Sequence, residues 1–418
     1  MKKIFLSLTL LISVSSLVKA QFTLTGELRP RSEYSHGYAT PANENQDASL
    51  FTTQRSRLNF DFKSDKFATY VSLQDVRLWG NQPQLVGNED NSVSLHQVWA
   101  EFGIISDLSL KLGRQEVAYD NQRIFGSVGW AQQARSHDMA ILKYESDFKA
   151  HLGLAYHENG DRTNNFYDGP DAYKALQFVW LNKKLNDLEL SFLLLNNGKG
   201  YAKDTNTAGE MTKQGIRYSQ TFGPTVKYKL GDLSLNGNFY LQTGKDANDT
   251  DISAYEFLVE GAYKITSNIS VTGGYELLSG TKMDDTKNKS FTPFYGTNHK
   301  FNGFMDYFYV GNHMNNVGLS DLYFKVKYAK DKFWVDGHIH FFGSAVDIPD
   351  NSKNLGNEID IWASYNISDI TNLKFGYSQM FVTDSMIALK GGKKGETNNW
   401  AWVMLTFKPQ FFTTKSAE

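Results

Sequence analysis

Side-chain character alternates with a period of two along most of this chain, and the connections between the alternating runs are short and long by turns. This combination is what most restricts the folds open to it. In Phe333, Val335, Gly337, Ile339 and Phe341 one parity is apolar or small, while Asp336, His338 and His340 hold the other. Ile359, Ile361, Ala363, Tyr365 and Ile367 stand in the same way against Glu358, Asp360, Ser364 and Asn366. So do Leu233, Leu235, Gly237, Phe239 and Leu241 against Ser234, Asn236, Asn238 and Gln242. Successive side chains of a strand point to opposite faces, so the pattern predicts strands with one wet face. Short polar breaks fall at 64–66, 106–107, 146–147, 186–187, 231–232, 267–268, 330–332 and 368–369. Between them lie longer polar segments around 36–49, 81–91, 119–134, 159–171, 197–213, 245–251, 281–318, 344–355 and 384–397. Bacterial outer-membrane barrels use short periplasmic turns and longer external loops, and these breaks join about 18 strands. The expected fold class is all-β, a transmembrane antiparallel up-and-down β-barrel. An even strand count puts both of its ends in the periplasm.

The first residues support that destination. Lys2 and Lys3 precede an apolar run from Ile4 to Val18, and Val18-Lys19-Ala20 leads into Gln21. The run is too short to span a bilayer as a helix, and the flanks are those of a secretory signal peptide cut after Ala20. The expected organisation is a signal peptide over 1–20, a barrel over 21–412 and a short tail over 413–418. Loss of the leader moves the formal charge from −2 to −5, and no nucleic-acid footprint is visible. With no cysteine, neither a disulfide nor a lipid anchor on cysteine is available. Aromatics make up 14% of the residues against only eight prolines, which suits a barrel whose apolar outer face alternates with a polar inner one. A soluble propeller would need a blade repeat of roughly 40–50 residues, and none recurs.

At this strand number side chains cannot fill the interior, so a lumen that is open or narrowed by loops is expected. All ten arginines fall between Arg29 and Arg217, eight of them at or before Arg135. Arg29 and Arg31 share a face with Glu27 and Glu33, and Arg55 and Arg57 share one with Asn59 and Asp61. If the apolar parity faces lipid, these guanidinium groups point inward. A guanidinium is always charged and offers a planar fork that suits carboxylates, so an anion-selecting wall is one reading. An inward network of arginine with glutamate and aspartate that stiffens the barrel is the other.

The stretch Leu110-Lys111-Leu112-Gly113-Arg114-Gln115, followed by Asp120, Arg123, Trp130, Gln133 and Arg135-Ser136-His137-Asp138, resembles the strand-loop-strand pattern of the alginate-export family of outer-membrane proteins. Residues 293–309, PFYGTNHKFNGFMDYFY, resemble the long loop of its Bacteroidetes-type members. The resemblance runs through most of the chain. It implies an 18-stranded barrel whose basic pore passes an anionic polysaccharide, with Arg55, Arg57, Arg77, Arg114, Arg123 and Arg135 carrying pore charge. Because no arginine follows Arg217, a basic ring would be completed by lysines such as Lys227, Lys325 and Lys327. Arg114 shares its parity with Leu108, Leu110 and Leu112, and Arg77 shares its own with Val71 and Leu73. Both therefore point outward unless a bulge, at Gly113 for instance, changes the phase.

Two loops are candidates for narrowing the pore. Segment 119–134 combines Gly126 and Gly129 with Trp130 and either folds inward or stays outside. Segment 281–318 carries Lys282, Lys287, Lys289 and Lys300 among seven aromatics from Phe291 to Phe308. It offers rings to sugars and cations to carboxylates, or else it packs on its own aromatics and caps the barrel. No G-x-S-x-G, H-E-x-x-H or phosphate loop is present. His338 and His340 share a strand face, but the spacing supplies no third ligand, and no metal or cofactor is expected. The expected function is a channel that passes anionic solutes, (oligo- or poly)saccharides such as alginate-like polyuronates, by passive diffusion through a pore lined by arginine and lysine. A general diffusion porin and a barrel-embedded hydrolase are the alternatives. Outer-membrane lipid and the solute are the expected partners.

Overall fold

The computed structural model describes residues 20–85, 93–158, 167, 173–313 and 316–414. The expected leader, apart from Ala20, and the last four residues of the expected tail lie outside the described residues. The strands are β1 (Ala20–His36), β2 (Ser49–Ser64), β3 (Phe67–Leu78), β4 (Val93–Ile105), β5 (Leu108–Gln115), β6 (His137–Glu145), β7 (Phe148–Tyr156), β8 (Ala175–Leu185), β9 (Leu188–Thr205) and β10 (Met211–Leu230). They continue as β11 (Leu233–Lys245), β12 (Asp251–Lys264), β13 (Ile269–Leu278), β14 (Leu319–Lys330), β15 (Phe333–Gly343), β16 (Asn354–Ser368), β17 (Thr371–Val382), β18 (Asn398–Phe407) and β19 (Gln410–Thr413). Each pairs antiparallel with its neighbours, and β18 and β19 both pair with β1, which closes the barrel. The last two segments share one position, so the barrel is 18-stranded. Lys408-Pro409 interrupts that final strand, because proline has no N–H for the ladder. The carbonyl of Pro409 still accepts from Gly26 N at 2.9 Å, and pairing resumes with Thr25↔Gln410 and, after a register shift, Leu24↔Phe412.

The period-two pattern sorts as the alternation predicts. Along β9, Leu190, Phe192 and Leu194 are exposed on the outer face, whereas Ser191, Leu193, Leu195 and Asn197 are buried. The outer residues belong in hydrocarbon, where apolar side chains need no partner. The segment read as a loop at 197–213 is mostly strand, since β9 and β10 pair from Tyr228↔Leu188 to Met211↔Thr205. Beyond the membrane a ribbon needs no apolar face, so composition there gave no sign of a strand.

The interior is not simply wet. Inward-facing Phe178, Leu193 and Leu195 join Ile124, Phe125, Tyr295, Met305 and Tyr307 in one buried apolar cluster. The last five come from the two long loops, here called L3 (residues 116–136) and L7 (residues 279–318). A barrel of this width leaves space that side chains alone cannot fill, and these loops fill part of it. A seven-residue helix, α1 (Asp384–Lys390), lies in the loop before β18 and is capped by Thr383, whose side chain accepts from Met386 N.

Candidate functional site

L3 bonds to opposite sides of the ring, and a segment that does so must cross the lumen. At one end the Asp120 carboxylate accepts from Trp180 Nε1 on β8 and from the Ser191 hydroxyl on β9, and Asn121 Nδ2 donates to Asn238 Oδ1 on β11. Burial pushes the Asp120 carboxyl up, and these hydrogen bonds work against the shift. At the other end the arginines of β1 and β2 hold the loop's backbone. Arg29 donates to the carbonyls of Gly129 (2.8 Å), Trp130 and Ala131 (3.1 Å each) and to Gln132 Oε1 (3.0 Å). Arg31 donates to Trp130 O at 2.9 Å, and its guanidinium lies 4.4 Å from the Trp130 ring centroid. Arg55 reaches Gln132 O at 3.4 Å.

L7 crosses as well and is knitted to L3. Gly126 N donates to Tyr295 O, Thr297 N donates to Gln122 O, and Arg135 donates to Gly296 O. Tyr295 Oη donates to Asn197 on β9, while Met305 N donates to Glu358 on β16. The long loop therefore runs inside the barrel, and it packs on L3 rather than on its own aromatics alone. Where the loops meet, Arg123 is buried with Nε 2.8 Å from Glu276 Oε1. Its other nitrogens donate to Asn298 and Asn302, and Asn302 donates in turn to Glu276 and Asp321.

The arginine wall carries both expected features at once. Arg31 pairs with Glu33 at 2.8 Å and Arg55 with Glu27 at 2.5 Å. Arg29 meets carbonyl and amide oxygens, and Arg57 donates to Gln74 with one buried terminal nitrogen lacking a hydrogen bond. Two of the four guanidinium charges are thus matched by carboxylates on the same wall, and two are not. Arg123 and Arg135 sit in and beside the crossing loops. Lys325 lies 3.6 Å from Glu260 on the inner face, and Lys327 stands over Trp334 at 4.8 Å.

Arg77 and Arg114 lie elsewhere. Arg114 is in register with Val98 and Asp138 and pairs with Asp138 at 2.9 Å on the outer face, so Gly113, despite its φ of +117°, does not flip the phase. Arg77 is in register with outward Gln54 and binds Asp75 and Gln82 at the external rim, where it borders a cavity. Both arginines keep the outward parity of their strands near the external rim, each at the edge of a cavity, Arg77 beside Arg31 and Arg114 beside Arg135.

Two cavities flank the crossing. The outer one, of about 640 Å³, is lined by Arg31, Tyr38, Trp130, His299, Asp306 and Trp400 among others. Trp130 stacks on His299 at 4.9 Å and meets Trp402 edge-on, and Tyr38 Oη donates to Asp306. The inner one, of about 660 Å³, is lined by Arg29, Lys332, Trp334, Lys374 and Lys408, and its other walls include the turn at 368–371. Arg31 faces the outer cavity and Arg29 the inner, two residues apart on one strand face. A third cavity beneath L7 holds Lys300 beside Lys325, and burial lowers the Lys300 ammonium below its ordinary range.

Sequence reasoning missed Trp400, Glu276, Asn302 and Tyr38. Trp400 had a usable signal, since it occupies the parity opposite Ala401, Val403 and Leu405. The others owe their place to loop paths that periodicity does not encode.

The family model described as alginate export matches residues 20–399. No curated protein matches the sequence. Solved structures with the same fold include three from Pseudomonas aeruginosa. OpdL has a TM-score of 0.63 at 12% identity over 94% of this chain and 99% of its own. OccK9 (OpdG) gives 0.60 at 10% over 93% and 98%. OpdK, solved with vanillate, gives 0.56 at 11% over 93% and 99%. At these identities the likeness is one of fold.

Proposed function

Because this chain belongs to the alginate export family, and so is a channel-forming barrel of the Gram-negative outer membrane, we propose that it passes anionic saccharides of the polyuronate kind by passive diffusion. The observation that carries this reading is the arginine ladder of β1 and β2. Arg31 borders the outer cavity and Arg29 the inner one, so a carboxylated chain has a guanidinium on each side of the crossing. Lys332, Lys374 and Lys408 extend the positive surface toward the periplasmic mouth. Preplaced cations lower the cost of bringing carboxylates into a narrow, poorly solvated passage. Trp130, Tyr38 and Trp400 offer ring faces beside these charges, and amphipathic rings suit the apolar face of a sugar. Arg29, Arg31, Arg55 and Arg57 are the proposed solute-binding residues of the wall, with Arg123, Arg135, Lys325 and Lys327 contributing positive potential. Family and fold are those of a channel and not of a hydrolase.

The test is current block in planar bilayers. Oligouronates added on the side of either cavity are expected to interrupt the current at concentrations where neutral oligosaccharides of equal length do not. Trp130→Ala is expected to shorten the blocked events several-fold. Equal block by charged and neutral sugars would favour an unselective diffusion porin instead.

A further inference from the structure

Three and four strands round the ring from β1, β16 and β15 set His338 directly opposite Asp360 and His340 directly opposite Glu358. All four side chains are buried. One ligand atom each from His338, His340 and Asp360 lie within 4.8 Å of one another. Sequence spacing gave only the two histidines, because the third group sits 20 residues further on, brought in by the register of the next strand.

The carboxyl groups around this cluster have no lysine or arginine ion-pair partner among the described residues, although Lys325 stands directly opposite His338 on β14. Among the described residues, Asp321, Asp336 and Asp360 form ion pairs only with the two histidines, and Glu358 forms none. Ser378 donates to Asp360 Oδ1 and Met305 N to Glu358 Oε1. The second oxygens, Asp360 Oδ2 and Glu358 Oε2, are buried without a hydrogen bond, and His338 Nε2 lies 3.2 Å from Asp336 Oδ1. Carboxylates buried in this way are costly unless a cation meets them. His340 is also oriented as a ligand. Its Nδ1 lies 3.0 Å from both Asp321 oxygens, an arrangement that fixes the tautomer and leaves Nε2 facing Asp360 Oδ2 at 3.9 Å. Imidazole and carboxylate without thiolate suit Zn²⁺.

We propose that His338, His340 and Asp360 bind a Zn²⁺ ion in the inner wall of the barrel, with Asp321 as the group that orients His340. L7 rests on this cluster, with the Phe304 ring 5.2 Å from His338 and Met305 N bonded to Glu358. The ion would therefore tie the crossing loop to the wall. This site does not depend on which solute the channel carries.

The test uses full-length protein in detergent, without a polyhistidine tag and stripped with chelator, titrated with Co²⁺ and then challenged with Zn²⁺. One equivalent of Co²⁺ is expected to give ligand-field absorption that Zn²⁺ abolishes. Asp360→Asn and the double variant His338→Ala/His340→Ala are expected to lose the absorption, and Asp321→Asn to weaken binding by about 10–100-fold. His151→Gln, on distant β7, is expected to keep it. Heat-dependent electrophoretic mobility confirms that each variant is a folded barrel. If the double variant does not fold, the near-isosteric Asp360→Asn decides. Absence of the absorption in the wild type, or its persistence in folded Asp360→Asn, would overturn the site.

Discussion

Replacing residues 120–134 by a short glycine-serine link is expected to raise single-channel conductance several-fold while the barrel still folds. L3 is fastened to β8, β9 and β11 at one end and to β1 and β2 at the other, so it occupies the cross-section that ions must pass. Conductance of a wide barrel is set at its narrowest section, and removing one of two crossing segments widens that section directly. The strands do not need the loop for pairing, because their ladder is complete without it. A gentler variant checks the same point. Arg29→Gln with Arg55→Gln removes these two guanidinium groups' bonds to Gly129, Trp130, Ala131 and Gln132 without shortening the chain, leaving Arg31 on Trp130 O, and it is expected to turn a steady current into a flickering one. An unchanged, quiet conductance in both folded variants would mean that ions bypass L3.

Arg123→Ala is expected to destabilise the folded barrel by about 3–5 kcal/mol, the usual cost of stranding one partner of a buried ion pair. The loss has an identified source. Arg123 is the only basic side chain paired with Glu276 among the described residues, and it also supplies donors to Asn298 and Asn302. With Arg123 gone, Glu276 would keep the Asn302 amide and the neighbouring Glu256 carboxyl, and no cation, in a closed site. Unfolding in denaturant, followed by the electrophoretic shift of the folded form, reads this out. Adding Glu276→Gln to Arg123→Ala is expected to recover much of the loss, since the stranded charge is then absent. A single variant as stable as the wild type would show that the pair contributes nothing.

The sequence disclosed the barrel because its physics is local. Alternation in β11, β15 and β16 reports the two faces directly, and the eight short turns report connectivity. It also disclosed the inward direction of Arg29, Arg31, Arg55 and Arg57, since these share a parity opposite Leu28, Leu58 and Phe60. Arg114 followed its naive parity as well. The crossing loops were another matter. Nothing local in Gly126, Gly129 and Trp130 distinguishes a loop that turns inward from one that stays outside. The answer lies in pairings such as Arg29 with Gly129 and Phe125 with Tyr295, which are separated by about a hundred residues or more. The two blocks that carried the family resemblance are, in large part, these two crossing segments. Resemblance therefore pointed to the constriction where periodicity could not. The apolar inner face of β8 and β9 was illegible for the same reason, because Phe178 and Leu193 make sense only once Phe125 and Tyr295 cover them.

The central claim is that the pore wall selects anions through unmatched guanidinium charge on β1 and β2. The reversal potential of the wild-type channel in a salt gradient tests it most directly, compared with that of Arg29→Gln/Arg57→Gln, the two arginines that no carboxylate on the wall matches. The account predicts anion preference in the wild type and a shift toward neutrality in the variant. Cation preference in the wild type, or an identical reversal potential in both, would contradict it.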